Sequence, residues 1–241
     1  MSAGVPAGDV VVPEVVAALA GGEVTRVVWR NELGGLTFVC GVGQRRRYLK
    51  WTPAESGIDL AVEATKLRWA AAWVRVPRVL EQGADESGSW LVTAALPGEN
   101  AVAARWRAEP AVAVAALGAG LRALHEALPV AECPFSWSVT ERSAHLDEVA
   151  GLGQAPPIDR YVVCHGDTCA PNTLIDDDGR FAGHVDLGSL GVADRWADLG
   201  TAAWSADFNY GPGWVGPLLD AYGIAEDTER LTYYRRLWES T

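Results

Sequence analysis

The sequence predicts an α+β protein in two lobes, a β-rich N-terminal lobe and a mainly helical C-terminal lobe, over 241 residues. Three observations carry that reading. Up to Ala94 the chain alternates short apolar runs of strand length with Gly, Pro and Asn turns, and one segment there keeps a helical face. Beyond Asn100 long Ala- and Leu-rich stretches at helical spacing dominate, with three short strands among them. Between the two regimes stands Leu96-Pro97-Gly98, a turn signal. The expected lobes are therefore 1–96 and 97–241.

In chain order, 10–20 reads as a surface helix with Pro13 in its first turn, where a missing N–H does no harm. Residues 24–30 and 36–42 are strands joined by the turn Asn31-Glu32-Leu33-Gly34-Gly35. Gly43-Gln44 turns the chain into a third strand, 45–51. The segment 58–74 sets Leu60, Ala64, Leu67 and Ala71 on one helical face. Two further strands follow at 77–81 and 89–94. In the second part 111–128 is a helix with little charge before Arg122, the pattern of a buried helix. Short strands at 161–165, 173–176 and 180–186 come next, the last two joined by the hairpin signal Asp177-Asp178-Gly179. Residues 196–205, 216–222 and 228–239 are helical.

Charge narrows the partners. Lys and Arg total 20 against 31 Asp and Glu, a net charge of −11 with a pI near 4.8. A surface of that sign repels nucleic acid and anionic membranes and attracts a cationic ligand. No apolar run approaches the roughly 20 residues of a membrane span. Residues 10–20 lack the positive flank of a secretory signal and contain Pro13 and Glu14, so the expected location is cytoplasmic. Cys40, Cys133, Cys164 and Cys169 fit neither a disulfide scaffold nor a zinc site, and are expected as buried free thiols.

The chemistry-bearing stretch is 161–192, YVVCHGDTCAPNTLIDDDGRFAGHVDLGSLGV. It sets Asp167 and Asn172 five residues apart in a loop between two strands, and Asp186 at the end of the next hairpin. An amide and a carboxylate facing one another offer oxygen ligands to Mg²⁺, which leaves Asp167 to face a substrate hydroxyl. Phosphoryl transfer needs those parts, a metal to neutralise charge and a carboxylate to orient the nucleophile. Upstream, Lys50 ends an apolar strand, and Glu63 follows thirteen residues later on the predicted helix. A lysine aimed at nucleotide phosphates and fixed by a helical glutamate is the kinase arrangement. Gly34 and Gly35, in a loop between two strands, are candidates to cover the phosphates with backbone N–H groups. His165 is expected to hold the loop rather than act as a base.

With these residues in view, the chain resembles the aminoglycoside phosphotransferase family, closest to its 3′-phosphotransferase branch. The resemblance runs over nearly the whole chain, through YLKW, VEATKLRWA, VPRVLEQG, SWLV…LPGE, LRALHEALPVAECPF, VVCHGDTCAPNTLI, GHVDLGSLGVADRWADL and AYGI…RLTYYRRL. It implies a two-lobed protein-kinase-like fold and ATP-dependent transfer to a hydroxyl of a cationic small molecule. An aminoglycoside modified at a 3′-type hydroxyl, conferring resistance, is the implied acceptor. The resemblance further implies Asp167 as catalytic base, Asn172 and Asp186 as Mg²⁺ ligands, and Lys50 on the α/β-phosphates with Glu63 as its partner. Adenine is expected on the backbone of Ala94 and Leu96.

On the acceptor side the pattern changes. Ser189 stands where the family commonly has Arg, and Trp204-Ser205 where it has acidic residues. Asp207, Glu239 and the terminal carboxylate of Thr241 are the expected amine ligands, with Asp147, Glu148 or Asp159 as substitutes. Two other readings stay open: a kinase for a nucleoside or peptide antibiotic or for a metabolite, and a nucleotide-binding pseudoenzyme. Retention of Asp167, Asn172 and Asp186 together weighs against the pseudoenzyme.

Overall fold

The computed structural model describes residues 4–6, 8–143 and 152–240. The chain divides into two compact units. One runs to Ala72 and resumes over Pro77–Ala95; the other takes Trp73–Val76 and continues from Leu96.

The first unit is an antiparallel sheet with two helices. α1 (Glu14–Ala20) precedes β1 (Thr25–Arg30), β2 (Leu36–Cys40) and β3 (Arg47–Pro53). α2 (Leu60–Ala70) follows, then β4 (Val79–Asp85) and β5 (Gly88–Ala94). The strand order β1-β2-β3-β5-β4 puts β3 at the centre. Alternation along β2 buries Leu36, Phe38 and Cys40 on one face, where Val16 of α1, Leu49 of β3 and Val92 of β5 pack against them. Lys50, next to Leu49, falls on the opposite face, the one α2 covers with Leu60, Ala64 and Leu67. Asp59 caps α2 by accepting the Ala61 N–H at 2.8 Å, so the helix starts later than the apolar spacing predicts, and it also ends earlier, at Ala70.

The second unit opens with β6 (Glu99–Asn100), α3 (Ala104–Ala108), α4 (Pro110–Ala127) and α5 (Val139–Ser143). Then come β7 (Tyr161–Cys164), β8 (Thr173–Ile175), β9 (Phe181–His184) and β10 (Gly191–Asp194), followed by α6 (Trp196–Tyr210), α7 (Val215–Tyr222) and α8 (Thr228–Glu239). β7 pairs with β10, and β8 lies between β6 and β9. Leu117, Leu121 and Leu124 of α4, Leu199 of α6, Leu218 of α7 and Tyr234 and Leu237 of α8 are all buried. α4 and α7 approach closely at Gly118, where a Cβ would stand 2.5 Å from the Leu218 carbonyl oxygen. The sequence reading missed β6, β10, α3 and α5, which are too short to show a period.

All four cysteines are free thiols, Cys40 and Cys164 buried, Cys133 and Cys169 half-buried. Among the described residues no helix is long and apolar enough to cross a membrane.

Candidate active site

Residues 165–172 connect β7 to β8, and α6 grips this loop near both ends. Asp198, fully buried in the first turn of α6, accepts the His165 N–H at 2.7 Å on Oδ2 and the Gly166 N–H at 2.9 Å on Oδ1. The Asp198 backbone carbonyl accepts the Thr168 hydroxyl at 2.7 Å. Two turns along the helix, Ser205 Oγ accepts the Ala170 N–H at 2.9 Å. Gly166 has φ of 85°, and a Cβ there would lie 2.3 Å from the Ser189 carbonyl oxygen, so the crossing needs glycine. Burial pushes the Asp198 carboxyl up, but His125, the neighbouring His165 and the Gly166 N–H outweigh it and hold the carboxyl below its ordinary range.

Within the loop, His165 is engaged at both ring nitrogens. Nδ1 accepts the Asp167 N–H at 3.2 Å, and Nε2 faces the Val185 carbonyl at 2.9 Å. A carbonyl only accepts, so Nε2 carries the proton and the ring serves the backbone. His184 meets His165 edge-on, with ring centroids 5.3 Å apart. Burial first, and the adjacent His165 second, push the His184 imidazole down to about 3.

Asn172 Nδ2 donates to the Asp167 carbonyl at 2.9 Å and to Asp167 Oδ2 at 3.0 Å. Asp167 Oδ1 is buried, with no hydrogen-bond partner among the described residues. The Val185 N–H donates to the Asn172 carbonyl at 3.0 Å, which ties the chain leading to Asp186 onto the loop. Asp186 is exposed and left-handed, with φ of 67° and ψ of 51°, the one non-glycine residue with positive φ among those described. Strain of that kind ends the hairpin two residues before the sequence predicts. The Cys169 thiol is raised by burial and then by the charge of Asp167, so it stays protonated. His125, Cys164 and Asp198 bring metal-ligand types together, but each is engaged: Cys164 with the Asp194 carbonyl, Asp198 with the loop and His125.

In the first unit, Lys50 Nζ lies 2.7 Å and 2.8 Å from the two carboxylate oxygens of Glu63. The Glu63 side chain is 8% exposed and that of Lys50 21%, so water reaches the cation more than its partner. Gly34 and Gly35 are turn donors: their N–H groups bond the Asn31 carbonyl at 3.3 Å and Asn31 Oδ1 at 2.6 Å. A phosphate would have to displace those contacts. The Ala94 N–H donates to the Arg78 carbonyl at 2.9 Å. At Leu96 the chain re-enters the second unit.

The carboxylates expected to grip substrate amines have partners of their own. Asp207 Oδ1 accepts the Trp214 N–H at 2.7 Å. Glu239 Oε1 stands 3.0 Å from both Nε and Nη2 of Arg235. Asp159 accepts from Arg195 Nε at 2.6 Å and Trp196 Nε1 at 2.9 Å. Thr241, Asp147 and Glu148 lie outside the described residues. Sequence reasoning missed Asp198 and His125 as members of the site; the only signal was their place inside the stretches ADRWADL and LRALHEAL.

The pattern of the phosphotransferase enzyme family matches residues 15–152 and 139–234. An aminoglycoside 3′-phosphotransferase of Streptomyces fradiae is 38% identical, with 78% of this chain and 81% of that protein covered. The crystal structure of an aminoglycoside-3′-phosphotransferase of type VIII is similar with a TM-score of 0.74 at 32% identity, over 94% of this chain and 97% of that one. Aminoglycoside phosphotransferase APH(3″)-Id from Streptomyces rimosus, in complex with ADP and streptomycin, is similar with a TM-score of 0.66 at 28% identity, over 84% of this chain and 88% of that one. The sheet unit followed by a helical unit is thus the protein-kinase-like α+β fold. Likeness of this extent in sequence and in fold makes the chain an ATP-dependent phosphotransferase belonging to the aminoglycoside phosphotransferase family.

Proposed function

We propose that the protein transfers the γ-phosphoryl group of ATP to a 3′-type hydroxyl of an aminoglycoside, in the cytoplasm, and so inactivates the drug. The observation that carries the reading is Asp167. Asn172 holds one carboxylate oxygen, and the other is buried without a donor among the described residues. A buried acceptor without a donor is rare, and here it waits for the O–H of a substrate. Asp167 Oδ1 accepts that hydroxyl and orients it. As the acceptor oxygen bonds to the γ-phosphorus and the bond to ADP breaks, the proton passes to the carboxylate.

Lys50, fixed by Glu63, neutralises the α/β-phosphates, while adenine bonds to the carbonyl of Ala94 and the backbone of Leu96. The oxygen set of the loop fits Mg²⁺. Asn172 has its Nδ2 tied to Asp167, which turns Oδ1 to other partners, and Asp186 presents an exposed carboxylate. Mg²⁺ held by Asn172 and Asp186 supplies positive charge against the phosphates. The net charge of −11 and the aminoglycoside named for the relatives support a cationic acceptor. A 3″-hydroxyl of streptomycin is the second reading, favoured by the Streptomyces rimosus relative in complex with that drug.

The test is ADP release by the purified protein with ATP and Mg²⁺ across kanamycin, streptomycin, nucleoside and peptide antibiotics. Turnover of kanamycin with phosphate on the 3′ oxygen is expected, and a chelator should abolish it. Turnover of streptomycin alone would replace the first reading with the second. Turnover confined to nucleoside or peptide drugs would overturn both.

A further inference from the structure

Asp198 holds the loop, and a second layer holds Asp198. Its carboxylate takes three hydrogen bonds, two from the loop N–H groups and one from His125 Nε2 at 2.9 Å. The side chains of His125 and Asp198 are 2% and 1% exposed, so neither turns to water for a substitute partner. His125 lies on α4, 73 residues before Asp198, and its Nδ1 stands 2.9 Å from the Tyr222 hydroxyl on α7. Asp198 Oδ2 is a carboxylate oxygen and only accepts, so the imidazole proton sits on His125 Nε2. Nδ1 of the neutral ring then accepts the Tyr222 hydroxyl. The chain of bonds runs from α7 through α4 to the backbone of the loop.

We infer that His125 is a positioning residue for phosphoryl transfer: it orients Asp198 and thereby fixes the backbone from which Asp167 projects, with Tyr222 fixing the His125 ring. This rests on the reading of Asp167 as the base. His125 makes no contact with the reacting atoms. Its effect reaches the reaction through two backbone bonds, at His165 and Gly166, on the two residues immediately before Asp167.

The experiment compares His125→Leu, His125→Gln and Tyr222→Phe in the full chain, with two readouts. Amide hydrogen exchange at His165 and Gly166 reports the anchoring directly, with Leu121 and Tyr234 in the core as internal controls. Steady-state kinetics separates kcat from the KM for ATP. Leu keeps much of the volume without a donor, whereas Gln keeps an N–H near the place of Nε2. With Leu, exchange at His165 and Gly166 should quicken about tenfold while the controls hold. In the same variant kcat should fall about tenfold or more with the KM for ATP within about twofold. Gln should restore most of both, and Tyr222→Phe should loosen the same two amides to a smaller degree. Unchanged exchange at His165 and Gly166 would overturn the inference, as would equal loosening of the controls or failure of Gln to restore. If the Leu variant does not fold, the Gln and Tyr222→Phe exchange data decide in the same way. A wild-type protein inactive on every aminoglycoside would sink the proposed function, while the exchange data would still decide the anchoring.

Discussion

A single amide group locks Asp167 twice: Asn172 Nδ2 is 2.9 Å from its backbone carbonyl and 3.0 Å from its Oδ2. The remaining oxygen, Oδ1, is thereby held at one orientation before any substrate arrives. Replacing Asp167 by Ala should lower kcat by about 10²-fold or more, the ordinary value of a positioned base. ATP affinity should stay within about twofold, because the nucleotide is held elsewhere. Steady-state kinetics and nucleotide titration check both, and near-normal turnover would refute the role of Asp167.

Lys50 and Glu63 form the other close pair, and the two effects of breaking it can be separated. Lys50→Ala should raise the KM for ATP or lower kcat by about tenfold or more, since phosphate loses its cation. It should also destabilise the fold by roughly 1–3 kcal/mol, because Glu63 keeps a buried charge without its partner. A double variant, Lys50→Met with Glu63→Leu, should recover stability without activity, as buried ion pairs replaced by apolar side chains often do. Urea unfolding beside kinetics on the three proteins measures this. Recovery of turnover in the double variant would show that the pair is structural only.

Gly166 offers a steric prediction. An alanine there meets both a positive φ and a backbone oxygen 2.3 Å from its Cβ. Backbone cannot rotate aside as a flexible side chain can, so Gly166→Ala should cost about 1–3 kcal/mol of stability. Turnover should drop with it, because the displaced residue precedes Asp167. Thermal unfolding and kcat read the two losses, and an alanine variant with wild-type values in both would contradict the loop geometry.

His184 gives a pH dependence. Its imidazole is held down to about 3 in the folded protein against an ordinary 6.5, by burial first and His165 second. Below that ordinary value the unfolded chain takes up a proton that the folded one refuses. The contribution of His184 is therefore complete above 6.5 and is lost as the pH falls from there toward 3. The slope from this one group cannot exceed about 1.4 kcal/mol per pH unit. Urea unfolding between pH about 7 and about 5 should show a shallower loss for His184→Gln than for wild type. Parallel slopes would mean that His184 is not held neutral.

Short-range patterns made much of this protein legible. The strands of the first unit, the buried helix α4 and the spacing of Asp167, Asn172 and Asp186 all arise from residues within about one element of each other, where side-chain period and turn chemistry act. Lys50 and Glu63 could be paired from sequence because a strand runs directly into the helix that covers it. Fine boundaries were less legible: Asp59 makes α2 start late, and the left-handed Asp186 follows a strand that ends before the apolar run does.

Long-range polar satisfaction was not written in any local pattern. Asp198 is 33 residues from His165, His125 is 73 from Asp198, and Tyr222 is 97 from His125. A buried carboxylate acquires its meaning only when packing removes water and names the donors that replace it. The same holds for Asp207, Glu239 and Asp159, which the family resemblance offers as amine ligands or substitutes for them and folding engages with Trp214, Arg235 and Arg195. Identity and spacing of the proposed reacting groups were thus local properties of the chain, whereas their orientation belongs to helices brought together from distant sequence, because a buried polar group is costly unless packing supplies its partner.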